Sequence, residues 1–129
     1  MTPPIRWLTL PIVLALHARS LADHGGGAGV RDQGLLEGAL ATPRNAAAYG
    51  EPTVFDLAAG YLVGIGRAHA FVDGNKRTAF FAPYVFLGLN GWELDADEAE
   101  AAAVTVDAAT GRLTEADLSR WLGASCRPA

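Results

Sequence analysis

A histidine, an acid, a glycine, an amide and two cations stand within one short stretch of the sequence, between two strongly apolar segments. The stretch reads His69-Ala-Phe-Val-Asp-Gly-Asn-Lys-Arg77. Imidazole titrates near neutral pH, so His69 is suited to take a proton from an attacking hydroxyl group. Lys76 and Arg77 supply the positive charge that attracts an anionic substrate. These residue types indicate proton transfer next to a bound anion.

The position of the cations at a predicted helix start supports an anion site. A helix is predicted to begin near Asn75, and a helix start has unpaired backbone N–H groups and a partial positive charge. Gly74 allows a tight turn and the close approach of a ligand to the backbone. Lys76 and Arg77 occupy the first turn, where a helix prefers acids. A bound polyphosphate would offset that local cost.

Asp73 lies next to this anion site, which makes chemical sense if a cation stands between the two negative charges. Mg²⁺ is commonly bound by one or two carboxylates together with phosphate oxygens of a substrate. With His69 as the base, this set is typical of metal-assisted phosphoryl or nucleotidyl transfer. The order Gly74-Asn75-Lys76 does not have the spacing of a Walker A loop. From the residues alone, the sequence indicates an anion site beside a histidine.

The elements that must position these residues are predicted to form one all-α domain over residues 1–129. The chain of 129 residues is long enough for one hydrophobic core, and 50% of its residues are hydrophobic. Capping signals, glycines and prolines divide it into about six helices in a compact bundle. The predicted helices span residues 9–23, 32–41, 53–69, 78–89 with a first turn from 75, 95–109, and 114 onward.

The third helix is predicted to lie at the centre of the bundle. Thr53 and Asp56 form a capping-box pattern at its start, and residues 57–66 are apolar or small on every face. Gly60, Gly64 and Gly66 each cost about 1 kcal/mol of helix propensity, which close approach of neighbouring helices would offset. Residues 43–52, between two prolines, are predicted to form a flap or short hairpin just before this helix.

Composition and charge restrict the other classes of function. A net charge of -4 gives no general signal for nucleic-acid binding, so direct binding of nucleic acid is not expected. The single cysteine, Cys126, fits a reducing cytoplasm. The apolar segment after Arg6 has roughly helical spacing and no clean cleavage site, which favours a helix over a secretory signal. No apolar run reaches the roughly 18 residues that a membrane helix needs.

The motif as a whole resembles the signature of the Fic/Doc family, in the form found in death-on-curing (Doc) toxins. The likeness extends to residues 30–37, before the predicted flap, and to residues 105–111, so it covers nearly the whole chain. The resemblance implies a Fic-type helical fold. It also implies transfer of a phosphate-containing group from a nucleotide to a protein hydroxyl.

Carried over by position, the resemblance implies a role for each residue of the motif. His69 would be the catalytic base and Asp73 the Mg²⁺-binding acid, with Lys76 and Arg77 also acting in catalysis. The phosphate-binding loop would consist of Gly74, Asn75, Lys76 and Arg77.

Two positions distinguish the branches of the family. AMP-transferring Fic proteins have glycine where this chain has Lys76, and a second arginine where it has Phe80. Both differences favour the Doc branch, which resembles a kinase that uses ATP and Mg²⁺. That kinase binds its nucleotide inverted and phosphorylates a threonine of translation elongation factor Tu. Transfer of AMP or another nucleotidyl group by the same fold remains the alternative.

The resemblance also implies how the protein is inhibited. No Ser/Thr-x-x-x-Glu-Gly/Asn inhibitory pattern is present, because Gln33 stands at the key position before Glu37 and Gly38. Inhibition is therefore expected in trans, from a cognate antitoxin whose C-terminal segment folds onto the toxin. By the same analogy, residues 42–50 would present an edge to which a substrate segment adds as a strand. An inactive module that only binds its antitoxin is a further alternative, against which the intact His69 weighs.

Three other cationic or titratable residues have no clear partners in the sequence. His17 and His24 are interpreted as surface or structural residues. Arg67, two positions before His69, is compatible either with a phosphate contact or with a surface ion pair.

Overall fold

The computed structural model describes residues 4–129, which form six helices and one short two-stranded sheet. The helices are α1 (Leu10–His24), α2 (Gln33–Tyr49), α3 (Val54–Ala68), α4 (Asn75–Leu89), α5 (Glu98–Ala109) and α6 (Glu115–Ser125). The strands are β1 (Trp92–Leu94) and β2 (Cys126–Pro128), which pair antiparallel. The prediction of an all-α bundle of about six helices is confirmed.

Helix α3 is the central element, as its composition predicts. It packs against α2, α4, α5 and α6. The predicted capping box is present, because the Asp56 N–H donates to Thr53 Oγ1 at 3.1 Å and the Thr53 N–H donates to Asp56 Oδ2 at 2.8 Å. Ser119 of α6 donates to the other carboxylate oxygen of Asp56 at 2.6 Å. That hydrogen bond is the main reason why the pKa of Asp56 lies below its ordinary value.

The glycines of α3 allow its neighbours to approach closely. A Cβ added at Gly60 would lie 3.4 Å from Pro43 Cγ of α2, and one at Gly64 would lie 3.5 Å from Ala39 Cβ. At Gly66 the added atom would lie 3.4 Å from Ala109 Cβ of α5. These are ordinary van der Waals distances, so the neighbouring helices pack closely against the backbone of α3, and this packing compensates for the low helix propensity of glycine.

The predicted end of the second helix and the predicted flap are wrong. Instead of ending near residue 41, α2 continues through Pro43 to Tyr49. A proline inside a helix costs about 3 kcal/mol because it removes a backbone hydrogen bond and crowds the preceding turn. Pro43 is buried against Gly60, together with Leu40 on the same face of α2. Burial of this face, and the alanines that follow Pro43, outweigh the helix-breaking effect.

The C-terminal strand and the start of α5 also differ from the sequence interpretation. β2 pairs with β1, and Arg127 of β2 forms ion pairs with Glu93 at 3.0 Å and Asp95 at 3.4 Å. Asp95 was expected to open the fifth helix, but Asp97 caps it, accepting from the Glu100 N–H at 3.0 Å. Three-residue strands have too short a pattern to be recognised from the sequence.

Helix α1 packs against α4 and carries its C-terminal half towards the motif. The Thr9 hydroxyl caps its first turn, accepting from the Ile12 N–H at 3.4 Å. After His24 the chain enters the glycine run, where Gly25 has a φ of 78°. Across residues 4–129, no helix combines the length and apolarity needed to cross a bilayer.

Candidate active site

The motif forms the connection between α3 and α4, and two residues with positive φ shape it. His69 ends α3 with φ 47° and ψ 42°, in the left-handed region that non-glycine residues adopt at a cost of about 1–2 kcal/mol. Gly74 precedes α4 with φ 81° and ψ 15°. Both turns direct the polar residues of the motif to the surface, where the side chains of His69, Asp73 and Lys76 are exposed. Phe71 points inward and is 1% exposed.

The start of α4 is open for an anion. Side chains cap the first turn of each of the other five helices that the structure describes, namely those of Thr9, Asp32, Thr53, Asp97 and Thr114. Gly74 has no side chain with which to cap α4. The first-turn N–H groups and the adjacent Lys76 and Arg77 can therefore bind a phosphate. Binding of an anion at this position stays a prediction.

Asn75 has a structural task in addition to its predicted place in the phosphate loop. Its Oδ1 accepts from the Phe71 N–H at 3.0 Å, and its Nδ2 donates to the Phe71 carbonyl at 3.0 Å. Both polar atoms of the Asn75 side chain are thus engaged in holding the turn. Any contact of Asn75 with phosphate would come from its backbone N–H.

The segment before α2 lies along the motif as a short antiparallel ladder. Val30 and Phe71 form an isolated β-bridge, and the Val72 N–H donates to the Gly29 carbonyl at 3.1 Å. The Arg31 N–H donates to the Ala70 carbonyl at 2.7 Å. In addition, the Arg31 guanidinium donates from Nη2 to the carbonyl of His69 at 2.6 Å. Arg31 therefore holds two successive carbonyls and supports the left-handed conformation of His69.

Replacing Arg31 by methionine removes the guanidinium but keeps the backbone hydrogen bond and most of the alkyl chain. Loss of one charge-assisted hydrogen bond in an exposed setting is expected to lower kcat roughly 5- to 10-fold, through misplacement of His69. Steady-state kinetics of the transfer reaction proposed below measures this effect. Arg31→Lys is expected to recover part of the rate.

A surface arginine elsewhere provides the control for this prediction. Arg19 of α1 pairs with Asp23 at 3.2 Å, and both side chains are largely exposed. Arg19→Met is expected to leave the rate unchanged, since exposed ion pairs contribute little. Equal losses in the Arg31 and Arg19 variants would show that Arg31 has no specific effect on the site.

Helix α1 contacts the backbone carbonyl of Asp73, and the glycine run contacts its carboxylate. His17 is 5% exposed, so its interpretation as a surface residue is wrong and the structural interpretation is correct. Its Nε2 lies 2.7 Å from the Asp73 carbonyl oxygen. The Gly27 N–H donates to Asp73 Oδ2 at 2.7 Å.

The motif lines a polar cleft that continues into an apolar pocket. The cleft has a volume of about 550 Å³, and His69, Asp73, Gly74, Lys76 and Arg77 are among its lining residues. The pocket, of about 280 Å³, is lined mainly by Phe80, Phe81, Ala102, Thr105 and Val106. Three residues line both the cleft and the pocket: His24, Lys76 and Arg77. His69 and Asp73 line the cleft and not the pocket.

The donor set of the cleft fits a magnesium ion that is shared with phosphates. Within residues 4–129, no three side chains of the His, Cys, Asp or Glu type lie close enough together to hold a metal by themselves. Asp73 is the one carboxylate among the described lining residues, and its Oδ1 has no hydrogen-bond partner among them. Mg²⁺ is typically bound by one or two carboxylates plus substrate phosphates and water. One carboxylate next to an anion site matches that pattern.

Three contacts around the motif were not recognised from the sequence. Arg31, His17 and Gly27 are separated from their partners in the motif by 38, 56 and 46 positions. The glycine run and the polar residues before α2 are conspicuous in the sequence. No pattern of neighbouring residues, however, indicates that they contact the motif. Arg67 does not face the cleft, since its Nη2 lies 3.5 Å from the Ala108 carbonyl of α5.

Comparison with known proteins agrees with this fold. A model of the Fic/DOC family matches residues 7–87. The chain is 37% identical over 111 residues to "Protein kinase doc" of Escherichia phage P1, covering 85% of this chain and 87% of the relative. It is 49% identical over 85 residues to "Toxin Doc" of Mycolicibacterium smegmatis, covering 64% of each chain. The chain therefore belongs to the Fic/DOC family, and its relatives support the Doc branch.

Proposed function

We propose that the protein is the toxin of a toxin–antitoxin pair and acts as a protein kinase. It transfers the γ-phosphate of ATP, with Mg²⁺, to a serine or threonine hydroxyl of a protein. The proposed target is elongation factor Tu, whose phosphorylation would inhibit translation in the cytoplasm. The names of the two relatives, a protein kinase and a toxin, support the general activity.

The observation that carries this proposal is that the polar cleft and the apolar pocket adjoin, since they share three lining residues, His24, Lys76 and Arg77. A nucleoside fits a pocket walled by Phe80, Phe81 and Val106, since nucleobases bind to apolar and aromatic side chains. The phosphates of the same nucleotide would then pass Lys76 and Arg77 and enter the cleft. In this direction the terminal phosphate would come nearest to His69 and Asp73, because these two residues line the cleft and not the pocket.

This direction supports phosphoryl transfer over AMP transfer. AMP transfer needs the α-phosphate at His69, which would place the nucleoside at the opposite end of the cleft. Phe80 is part of the apolar wall, where AMP-transferring relatives have an arginine. An apolar side chain at this position suits a nucleobase and gives no charge for a phosphate.

The proposed reaction is a single displacement at phosphorus. The acceptor hydroxyl oxygen attacks the γ-phosphorus, and the bond between that phosphorus and the β,γ-bridging oxygen breaks, so that ADP leaves. His69 takes the proton of the hydroxyl, because its side chain is exposed in the cleft at the end of α3. The N–H groups of α4 with Lys76 and Arg77 bind the phosphate oxygens and stabilise the charge that develops on them.

Asp73 is the residue that would hold the magnesium ion. When bound there, Mg²⁺ would supply neutralisation of phosphate charge and help to orient the terminal phosphate. Asp73 would offer Oδ1 to such an ion, while the Gly27 N–H donates to Oδ2. The hydrogen bond to Gly27 keeps the carboxylate in one orientation before the nucleotide binds.

The proposed regulatory partner is a cognate antitoxin that binds in trans. Gln33 stands where a cis-acting inhibitory pattern requires Ser or Thr, which supports control from outside the chain.

The expected way in which the protein substrate binds changes with the structure. Residues 42–49 are helical and offer no strand edge, so strand addition at this segment is no longer part of the proposal.

Transfer from labelled ATP onto purified elongation factor Tu tests the proposed function. ATP labelled at the γ-phosphate is expected to label the factor in the presence of Mg²⁺, and ATP labelled at the α-phosphate is expected to give no label. Chelation of Mg²⁺ should abolish the signal. The matched control is the variant His69→Asn, because asparagine tolerates the left-handed conformation of residue 69 and should keep the fold.

The other outcomes discriminate between the alternatives. Label from the α-phosphate would replace the kinase by an AMP transferase of the same fold. Absence of transfer to elongation factor Tu and to the proteins of a cell lysate, together with a lack of His69-dependent toxicity on expression, would favour an inactive antitoxin-binding module.

A further inference from the structure

His17 of α1 contacts two residues of the motif, although it is far from them in the sequence. Its ring stacks on Phe71, with ring centroids 3.7 Å apart and an angle of 10° between the planes. Its Nε2 is 2.7 Å from the backbone oxygen of Asp73. A carbonyl oxygen can only accept a hydrogen bond, so Nε2 carries a hydrogen and donates it.

The glycine run after α1 fixes the same aspartate from another direction. The Gly27 N–H donates to Asp73 Oδ2 at 2.7 Å. A Cβ added at Gly27 would lie 3.0 Å from that oxygen, and one at Gly26 would lie 3.2 Å from Asp73 Cβ. Side chains at either position would crowd Asp73. The α1 segment and the loop after it thus contact Asp73 at both its carbonyl and its carboxylate.

We propose that His17 is a positioning residue for the transfer reaction, a role that rests on the proposed function. The hydrogen bond to the Asp73 carbonyl and the stacking on Phe71 hold the turn between His69 and Gly74 in one conformation. In that conformation Gly27 binds Oδ2 of Asp73 and Oδ1 stays available. His17 is not among the lining residues of the cleft, so it acts through Asp73 and does not touch the substrate.

A simpler role for His17 is that of an ordinary core residue. Both roles predict that its loss lowers stability, because it is buried and stacked on an aromatic ring. They differ in which part of the side chain matters for the reaction. Positioning requires the N–H donor, whereas core packing requires the ring.

Two substitutions separate the donor from the ring. His17→Phe keeps a ring against Phe71 and removes the donor. His17→Gln removes the ring and keeps an N–H donor the same number of bonds from Cα. We expect His17→Phe to lower kcat about tenfold and His17→Gln to recover most of the rate, since a lost hydrogen bond to a partly buried carbonyl has an effect of this order. The melting temperatures should rank in the opposite order, with the Phe variant above the Gln variant.

Amide hydrogen exchange on the free protein gives a readout that does not depend on activity. The Gly27 N–H reports the contact with the Asp73 carboxylate, and the Val72 N–H reports the ladder with Gly29. Both amides are expected to exchange about tenfold faster in His17→Phe than in His17→Gln if the donor holds the turn.

Each outcome has a definite meaning. Wild-type kcat and wild-type exchange in His17→Phe would overturn the positioning role, as would rates that simply follow melting temperature in both variants. If the wild-type protein transfers no phosphate, the proposed function fails, and exchange still decides whether His17 holds Asp73. Agreement of the kinetics with the exchange rates would establish the positioning role.

Discussion

Replacing His69 by alanine is expected to lower the rate of phosphoryl transfer by about 10²- to 10⁴-fold, the usual contribution of a general base. The N–H groups of α4, Lys76 and Arg77 remain in place, so nucleotide binding should change little. The loss should therefore appear in kcat and much less in KM. Initial rates with labelled ATP, over a range of nucleotide concentrations, measure both quantities.

The backbone of His69 decides which variant is the proper control. At φ 47° the residue is left-handed, a conformation that asparagine and histidine adopt more readily than alanine. His69→Asn is expected to be as inactive as His69→Ala, while the alanine variant should be less stable by roughly 1 kcal/mol. Chemical denaturation measures the difference. Substantial activity in the well-folded asparagine variant would exclude His69 as the base.

Replacing Asp73 by asparagine is expected to reduce the transfer rate by about 10²-fold or more, because a metal that stabilises phosphate charge contributes several kcal/mol. The amide oxygen can still accept from the Gly27 N–H, so the turn should keep its conformation. The variant should also need a higher Mg²⁺ concentration for half-maximal rate. Titration of Mg²⁺ at fixed ATP, together with calorimetry of Mg–nucleotide binding, measures both effects.

Asp107 provides a matched control for the loss of one carboxylate. It lies on α5 and is not among the lining residues of the cleft. Asp107→Asn makes the same chemical change and the same change in net charge, and it is expected to leave rate and Mg²⁺ dependence unaltered. A normal Mg²⁺ dependence in Asp73→Asn would mean that the ion is bound elsewhere.

The prediction of a flap was wrong because it considered only the residues close to Pro43 in the sequence. Thr42 and Pro43 were interpreted as the end of a helix, because proline breaks a helix when no tertiary contact opposes it. In the folded chain Pro43 packs against Gly60 of α3, and α2 continues to Tyr49. The stabilisation from that contact depends on α3, a separate helix later in the sequence. It therefore cannot be predicted from the residues around Pro43 alone.

The sequence by itself determined the features whose causes are local. The capping box of Thr53 and Asp56, the buried composition of α3 and the start of α4 at Asn75 depend on residues within a few positions of one another. The reactive and charged side chains of the motif are local as well, since residues 69–77 are consecutive and connect α3 to the first turn of α4. That is why the family, the helical fold and the candidate site could be predicted together.

Only the tertiary structure decided how the motif is held and what surrounds it. Arg31 contacts the His69 carbonyl, His17 contacts the Asp73 carbonyl, and Gly27 contacts the Asp73 carboxylate, each across a long sequence separation. The apolar pocket is likewise built from α4 and α5 together. Such contacts form when packing of the core brings distant segments together. The residue pattern of a single segment does not specify its partners.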